Sequence, residues 1–182
     1  MAKTLFSNTQ WELQHVLFEI DRGRFGLPDI QRPFVWKNSK VRDLFDSMMK
    51  GYPIGYFILW ESGLAESNKQ IGLKTHDDDY PSTLIIDGQQ RLTSLYTVMR
   101  GVPILDNKFQ EKRIKIAFHL IDRKFEVSSA AHKRSPEWIE DISIVFQHSN
   151  NLWRVEEQII ERLEESRASG YFGPTEPPFR EN

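Results

Sequence analysis

The apolar positions of this chain fall into patterned runs punctuated by glycine, proline and short polar clusters. Leu13, Val16, Leu17 and Ile20 recur at helical spacing and predict a helix over residues 9–20, with Thr9 as N-cap and Glu12 as its capping-box partner. Asp21-Arg22-Gly23 breaks that pattern, and Arg24-Phe25-Gly26-Leu27 reads as a short strand ended by Pro28. Val41, Leu44, Phe45, Met48 and Met49 predict a second helix, capped by Asn38 or Ser39 and stopped by Gly51 and Pro53. The nearly unbroken apolar run Ile54–Trp60 predicts a strand covered on both faces, with Gly55 marking a bulge or a close approach to the backbone. Leu84-Ile85-Ile86 predicts another buried strand, which stops at Asp87-Gly88. Leu92, Leu95, Tyr96 and Met99 then trace one face of a helix, with Gly101 at its C-terminal cap and Pro103 beyond.

Further on, Ile114, Ile116, Phe118 and Leu120 alternate with Lys115, Ala117 and His119, the pattern of a half-buried strand. Asp122-Arg123-Lys124 turns it into Phe125-Glu126-Val127 as a hairpin. His119 falls on the less apolar face and reads as a surface or partly satisfied residue, not a catalyst. Ser135-Pro136-Glu137 predicts the start of a short helix through Ile142, and residues 151–167 an acidic amphipathic helix. A Pro/Gly-rich tail begins at Gly170. The mixture predicts an α/β (α+β) chain, divided into a domain over residues 1–145 and a helix with a tail over residues 146–182.

Composition narrows the functions. The chain has 182 residues, 39% hydrophobic and 27% charged, and so has the material for one sizeable core. A net charge of −2 supplies no overall basic field for non-specific nucleic-acid binding. The absence of cysteine excludes disulfide and thiolate chemistry and fits a reducing cytoplasm. No signal-peptide core and no apolar run of membrane-spanning length is present, so the expectation is a cytosolic protein without a membrane partner.

The candidate chemistry lies in two polar clusters held by strongly apolar flanks. Gln31-Arg32 sits between Pro28 and Pro33, which keep the backbone extended, beside Ile30, Phe34 and Trp36. Asp87-Gly88-Gln89-Gln90-Arg91 joins a buried strand to a helix start, where backbone N–H groups and the helix dipole favour an anion. Two guanidiniums, three amides, one carboxylate and a helix N-terminus suit a polyphosphate. Asp87 repels phosphate, which leaves it to ligate Mg²⁺, orient water, or bond a neighbouring N–H or ribose hydroxyl. On spacing alone an equal reading stands for Asp87–Arg91, in which they only cap and solvate a tight turn. Gln31-Arg32 reads more readily as a surface loop whose apolar members plug the core and whose arginine is a solvated charge. The P-loop and dinucleotide glycine patterns are missing, as are a nucleophile elbow and an HNH metal-nuclease constellation. Lys74-Thr75-His76-Asp77-Asp78-Asp79 reads as a solvated charge run, not a metal site.

The P-x-x-Q-R-P-x-x-W run over Pro28–Trp36, the Gly51-Tyr52-Pro53-Ile54-Gly55 helix exit and Asp87-Gly88-Gln89-Gln90-Arg91-Leu92-Thr93 occur in an order that resembles the N-terminal domain of GmrSD-type modification-dependent restriction proteins. The resemblance covers roughly residues 10–145. It implies a compact ParB/sulfiredoxin-like fold with a mixed sheet, flanking helices and an added C-terminal helix. It also implies a nucleoside-triphosphate-hydrolysing regulator of a nuclease that attacks modified phage DNA. Carried over by position, Asp87, Gly88, Gln89, Gln90 and Arg91 form the phosphate-site motif, with Gln31 and Arg32 beside them and Thr93 capping the helix or touching the nucleotide. Asp87, Gln89 and Gln90 take the catalytic roles, with Mg²⁺ on Asp87. The partners implied are the nucleotide, modified DNA, an HNH-type nuclease domain or subunit, and further copies of the chain. Relatives of this kind carry that nuclease domain after the first, and the present sequence ends in an acidic helix and tail. The expectation is therefore a truncated chain, a degenerate product or the regulatory subunit of a split system, without nuclease activity of its own. The alternative is a ParB-like DNA-binding module without nucleotide turnover, using Arg22, Arg24, Arg32, Lys37, Lys40 and Arg42 as a basic patch.

Overall fold

The computed structural model describes residues 6–28, 33–61, 68–70, 81–108, 110–147 and 152–168. Helix α1 (Leu13–Asp21) leads through Gly23 into β1 (Phe25–Pro28). The amide of Gly23 donates to Ile20 O and that of Arg24 to Glu19 O, which closes the helix with the paired hydrogen bonds of a Schellman cap. The predicted start at Thr9 is not observed. Glu12 stands at the N-cap without a side-chain bond, and Trp11 stacks on Phe25 at 5.5 Å, so a tertiary contact sets the helix entry. Helix α2 (Asn38–Met49) ends as its sequence predicts, with Gly51 at φ +73° and the amides of Gly51 and Tyr52 bonded to Met48 O and Ser47 O. Its N-cap is Lys37, one residue before the expected Asn38.

The apolar run Ile54–Trp60 is not a strand covered on both faces. Residues 52–57 form an irregular loop, and β2 (Ile58–Glu61) is an edge strand with Ile58 56% and Trp60 55% exposed. β2 pairs antiparallel with β4 (Thr83–Asp87), β4 lies parallel to β1, and β1 pairs antiparallel with β3 (Asn68–Gln70), giving the mixed order β2-β4-β1-β3. Because β1 and β4 run parallel, with Phe25 opposite Thr83, their C-terminal ends leave the sheet at one edge.

Helix α3 (Gln89–Arg100) is the central rod of the fold. Every residue from Leu92 to Met99 is buried, a wider surface than the predicted one-sided stripe. The polar members of that run largely satisfy themselves: Ser94 Oγ donates to Gln90 O at 2.7 Å and Thr97 Oγ1 to Ser94 O at 3.3 Å. Leu17, Val41, Ile85, Leu95, Val98, Ile114 and Ile116 make the innermost core. Tyr96 and Arg100 tie α3 to the end of α1. The Tyr96 hydroxyl bonds Asp21, burial pushes its pKa up to about 12 with help from that carboxylate, and Arg100 pairs with Asp21 at 2.8 Å.

After Gly101 come the two-stranded β5 (Ile104–Leu105) and β6 (Glu111–Lys112), then an antiparallel sheet of β7 (Ile116–His119), β8 (Lys124–Val127) and β9 (Trp138–Ile139) in the order β8-β7-β9. The β7–β8 hairpin matches its prediction, with Arg123 at φ +52° in the turn. Trp138 and Ile139 are extended, not helical, because they pair with the other edge of β7. Short α4 (Ala130–Arg134) precedes them and α5 (Ser143–Gln147) follows. The acidic helix is present as α6 (Leu152–Ala168). Gln147 Nε2 donates to Arg100 O at 2.7 Å and Arg162 Nη1 to Trp138 O at 2.7 Å, so bonds cross the division placed after residue 145. Among the described residues no helix is long and apolar enough to cross a membrane.

Candidate functional site

The end of β4 is shaped by a bulge. Leu59 faces Ile85 across the ladder, but Ile58 faces Asp87, so Ile86 is an extra residue on its strand. A bulge re-aims the side chains around it. Ile85 is fully buried, whereas Ile86 is 44% exposed and the Asp87 carboxylate points outward, its side chain 67% exposed. Gly88 then caps α3 at φ +88°, and a Cβ there would strike the Phe57 ring. Conformation and space both demand glycine at this position.

Arg91, one turn into α3, reaches back across the 52–57 loop. Its Nη1 donates to Ile54 O and its Nη2 to Tyr56 O at 2.8 Å. The guanidinium lies 5.2 Å from the Phe57 ring centroid, and Nη2 is 3.5 Å from Asp87 Oδ2. It also fills the space that a Cβ on Gly55 would need, and Gly55 has φ +88°. This is the close approach to the backbone that Gly55 announces in the sequence. The first task of Arg91 in the fold is to staple this loop to the helix start.

Gln90 performs the matching task on the other side. Its side chain is buried, with Oε1 accepting from Val35 N at 3.0 Å and Nε2 donating to Pro33 O at 3.2 Å. Both ends of one amide are thus engaged by the backbone that follows Arg32. Gln31 and Arg32 themselves lie outside the described residues. Of the described residues that flank them, Pro28 ends β1 and Pro33 O accepts from Gln90 Nε2.

Between these two staples lies an open cleft of about 410 Å³, lined by Trp36, Lys40, Ile86 and residues 87–91. Of the predicted residues it gathers Asp87, Gly88, Gln89, Gln90 and Arg91. Thr93 does not line it. The Thr93 side chain is buried, and its Oγ1 finds no hydrogen-bond partner among the described residues. Lys40 and Trp36 were not marked in the sequence as cleft residues. Lys40 Nζ stands 4.3 Å from the Trp36 ring centroid, a cation–π contact made across one turn of chain into α2.

The basic patch is partly neutralised. Arg24 pairs with Glu19 at 3.0 Å, Arg42 with Asp43 at 2.6 Å, and Arg22 lies over the Phe18 ring at 5.3 Å. No cluster of three or more His, Cys, Asp or Glu suited to a metal exists among the described residues. Lys74–Asp79 lies outside them.

A second polar cluster surrounds Trp138. His119 is buried, not at the surface, because Trp138, its cross-strand neighbour on β9, packs its ring against the imidazole. Its Nδ1 accepts from Asp122 N at 2.9 Å and its Nε2 lies 3.2 Å from Glu137 Oε2. His132 repeats the arrangement, with Nδ1 accepting from Ser129 N at 3.0 Å and Nε2 3.3 Å from Glu126 Oε2. The two imidazoles flank Trp138 at centroid distances of 4.7 and 4.2 Å.

Comparison with known proteins adds two findings. The family model described as "GmrSD restriction endonuclease, N-terminal domain" matches residues 13–171. The chain is also similar to the uncharacterized protein MJ0686 of Methanocaldococcus jannaschii, 36% identical over 87 residues that cover 41% of this chain. The matched part is 14% of that relative's length.

Proposed function

The chain belongs to the GmrSD restriction endonuclease N-terminal domain family, and on that premise we propose that the cleft at the start of α3 binds and hydrolyses a nucleoside triphosphate. In this reading the protein is a cytosolic regulatory domain, and the turnover controls a nuclease domain or subunit directed at modified DNA. The observation that carries the reading is the amide clamp of Gln90. It joins the two polar segments, about fifty-five residues apart in sequence, at the sheet edge where β1 and β4 both end. Open α/β sheets take ligands outside the carboxyl ends of their parallel strands. A cleft of about 410 Å³ has the capacity of a small-ligand site.

The roles divide by where each group points. The phosphate chain lies against the N-terminus of α3, whose cap residue is a glycine with no side chain to compete for the helix amides. Asp87, the exposed carboxylate of the cleft, fits Mg²⁺, an ion commonly held by one or two protein carboxylates together with substrate phosphates. Bound there, the ion would neutralise phosphate charge. Gln89, on the first turn of α3 and lining the cleft, orients the attacking water. As the oxygen of that water bonds the γ-phosphorus, the bond from this phosphorus to the β,γ-bridging oxygen breaks. Nucleoside diphosphate and phosphate are released, with the water's proton leaving on the phosphate. Catalysis of this kind rests on positioning and electrostatics. Gln90 and Arg91 hold the walls of the cleft, and Gln31 and Arg32 are expected to add phosphate contacts from the resemblance alone.

The test is calorimetric titration with the four nucleoside triphosphates and Mg²⁺, together with phosphate release, on wild type and Asp87→Asn. Binding of at least one nucleotide is expected, with release abolished in the variant. A folded wild-type protein that binds none of the four sinks the reading.

A further inference from the structure

Two cations line the described part of the cleft, Arg91 and Lys40, and their surroundings differ. The Arg91 guanidinium already donates to two backbone carbonyls and faces the Asp87 carboxylate, so much of its charge and donor capacity is committed to the fold. Lys40 is exposed and makes no ion pair among the described residues. Its ammonium rests on the half-buried Trp36 ring. An aromatic face attracts a cation but offers no lone pair, so the ammonium hydrogens that do not face the ring stay available to oxygen acceptors. Trp36 is one residue beyond Val35, which Gln90 holds by its backbone amide. The same clamp that anchors the loop therefore places the ring beneath the lysine.

We propose that Lys40 is a phosphate-binding cation of this cleft and that Trp36 is the positioning residue that holds it there. The inference rests on the nucleotide reading above and specifies which part of the ligand Lys40 meets: the phosphate chain, not the base. Lysine serves as a point charge for phosphate, and a compact ammonium on a long stem can swing from the ring face to an oxygen without unfolding anything.

The experiment measures dissociation constants for the nucleoside triphosphate found to bind wild type and for inorganic tripolyphosphate, in both cases with Mg²⁺. Lys40→Met should weaken both ligands by about 10- to 100-fold, the scale of one charge-assisted hydrogen bond, and Lys40→Arg should stay within about threefold. Trp36→Leu should weaken both ligands, Trp36→Phe should restore most of the loss, and Trp36→Leu added to Lys40→Met should cost nothing more. Thermal melts confirm that each variant is folded. Unchanged affinity in Lys40→Met overturns the proposal, and so does a loss confined to the nucleotide with tripolyphosphate unaffected. Additive losses in the double variant overturn the role of Trp36. A wild-type protein that binds neither ligand refutes the nucleotide reading itself.

Discussion

The cleft at the start of α3 and the cluster around Trp138 are built from similar materials but leave their polar groups in opposite states of engagement. The Trp138 cluster is the richer in titratable groups, with two histidines and two glutamates around one indole. Each imidazole there uses Nδ1 on a backbone amide and Nε2 on a carboxylate, leaving no ring nitrogen directed at a ligand. In the cleft, Gln90 and Arg91 are also engaged by backbone, but Asp87 and Lys40 face open space. The difference shows that reactive residue types do not make a site. A site needs some groups saturated so that others are held unsaturated.

That contrast can be broken at its strongest point first. Gly55→Ala imposes a positive φ on a residue with a side chain and drives the Cβ into the Arg91 guanidinium, so it should cost about 3 kcal/mol and abolish nucleotide binding. Chemical denaturation and titration read the two effects. Gln90→Leu keeps the volume but strips Pro33 O and Val35 N of their partner. A loss of about 2 kcal/mol is expected, with binding weakened far more than that stability change explains. His119→Leu removes a similar pair of bonds from the other cluster. It should lower stability by about 1 kcal/mol and leave nucleotide affinity unchanged, and altered affinity would show that the two regions are coupled. Asp87→Asn, at an exposed side chain, should shift stability by no more than about 0.5 kcal/mol while stopping phosphate release. Outside both regions, Tyr96 should be silent at neutral pH. Its pKa is raised from 10.0 to about 12, so its contribution is intact below pH 10 and is lost as pH climbs toward 12. Tyr96→Phe should flatten that alkaline limb of a denaturation series.

Much of this organisation is legible in the sequence because local rules govern it. Gly51 and Gly101 end their helices where periodicity stops, Gly55 marks a close contact, and the β7–β8 turn sits at Asp122-Arg123-Lys124. Tertiary context overrode those rules elsewhere. Trp138 and Ile139 carry a helical pattern but extend along an edge of β7. Ile54–Trp60 has the hydropathy of a buried strand, yet the Arg91 staple holds its first half as a loop. Asp87–Arg91 was recognisable as a unit, but not its division of labour. Nothing in consecutive letters tells a glutamine that faces a cleft from a neighbour turned into the backbone of residues 33–35. Lys40 was equally opaque, since a lysine on a solvated helix face becomes a cleft residue only when Trp36 is brought beneath it.

The clamp at Gln90 has a consequence for which amino acids position 90 can accept. The two atoms it grips, Val35 N and Pro33 O, need an acceptor and a donor side by side at the tip of a three-carbon arm. Asparagine carries the right pair on too short a stem. Glutamate has the length but offers acceptors only, and lysine or arginine offer donors only. Of the twenty standard side chains, glutamine alone meets both conditions. The spelling of the protein at this one letter is thus dictated by a peptide segment more than fifty residues upstream, before any ligand is considered.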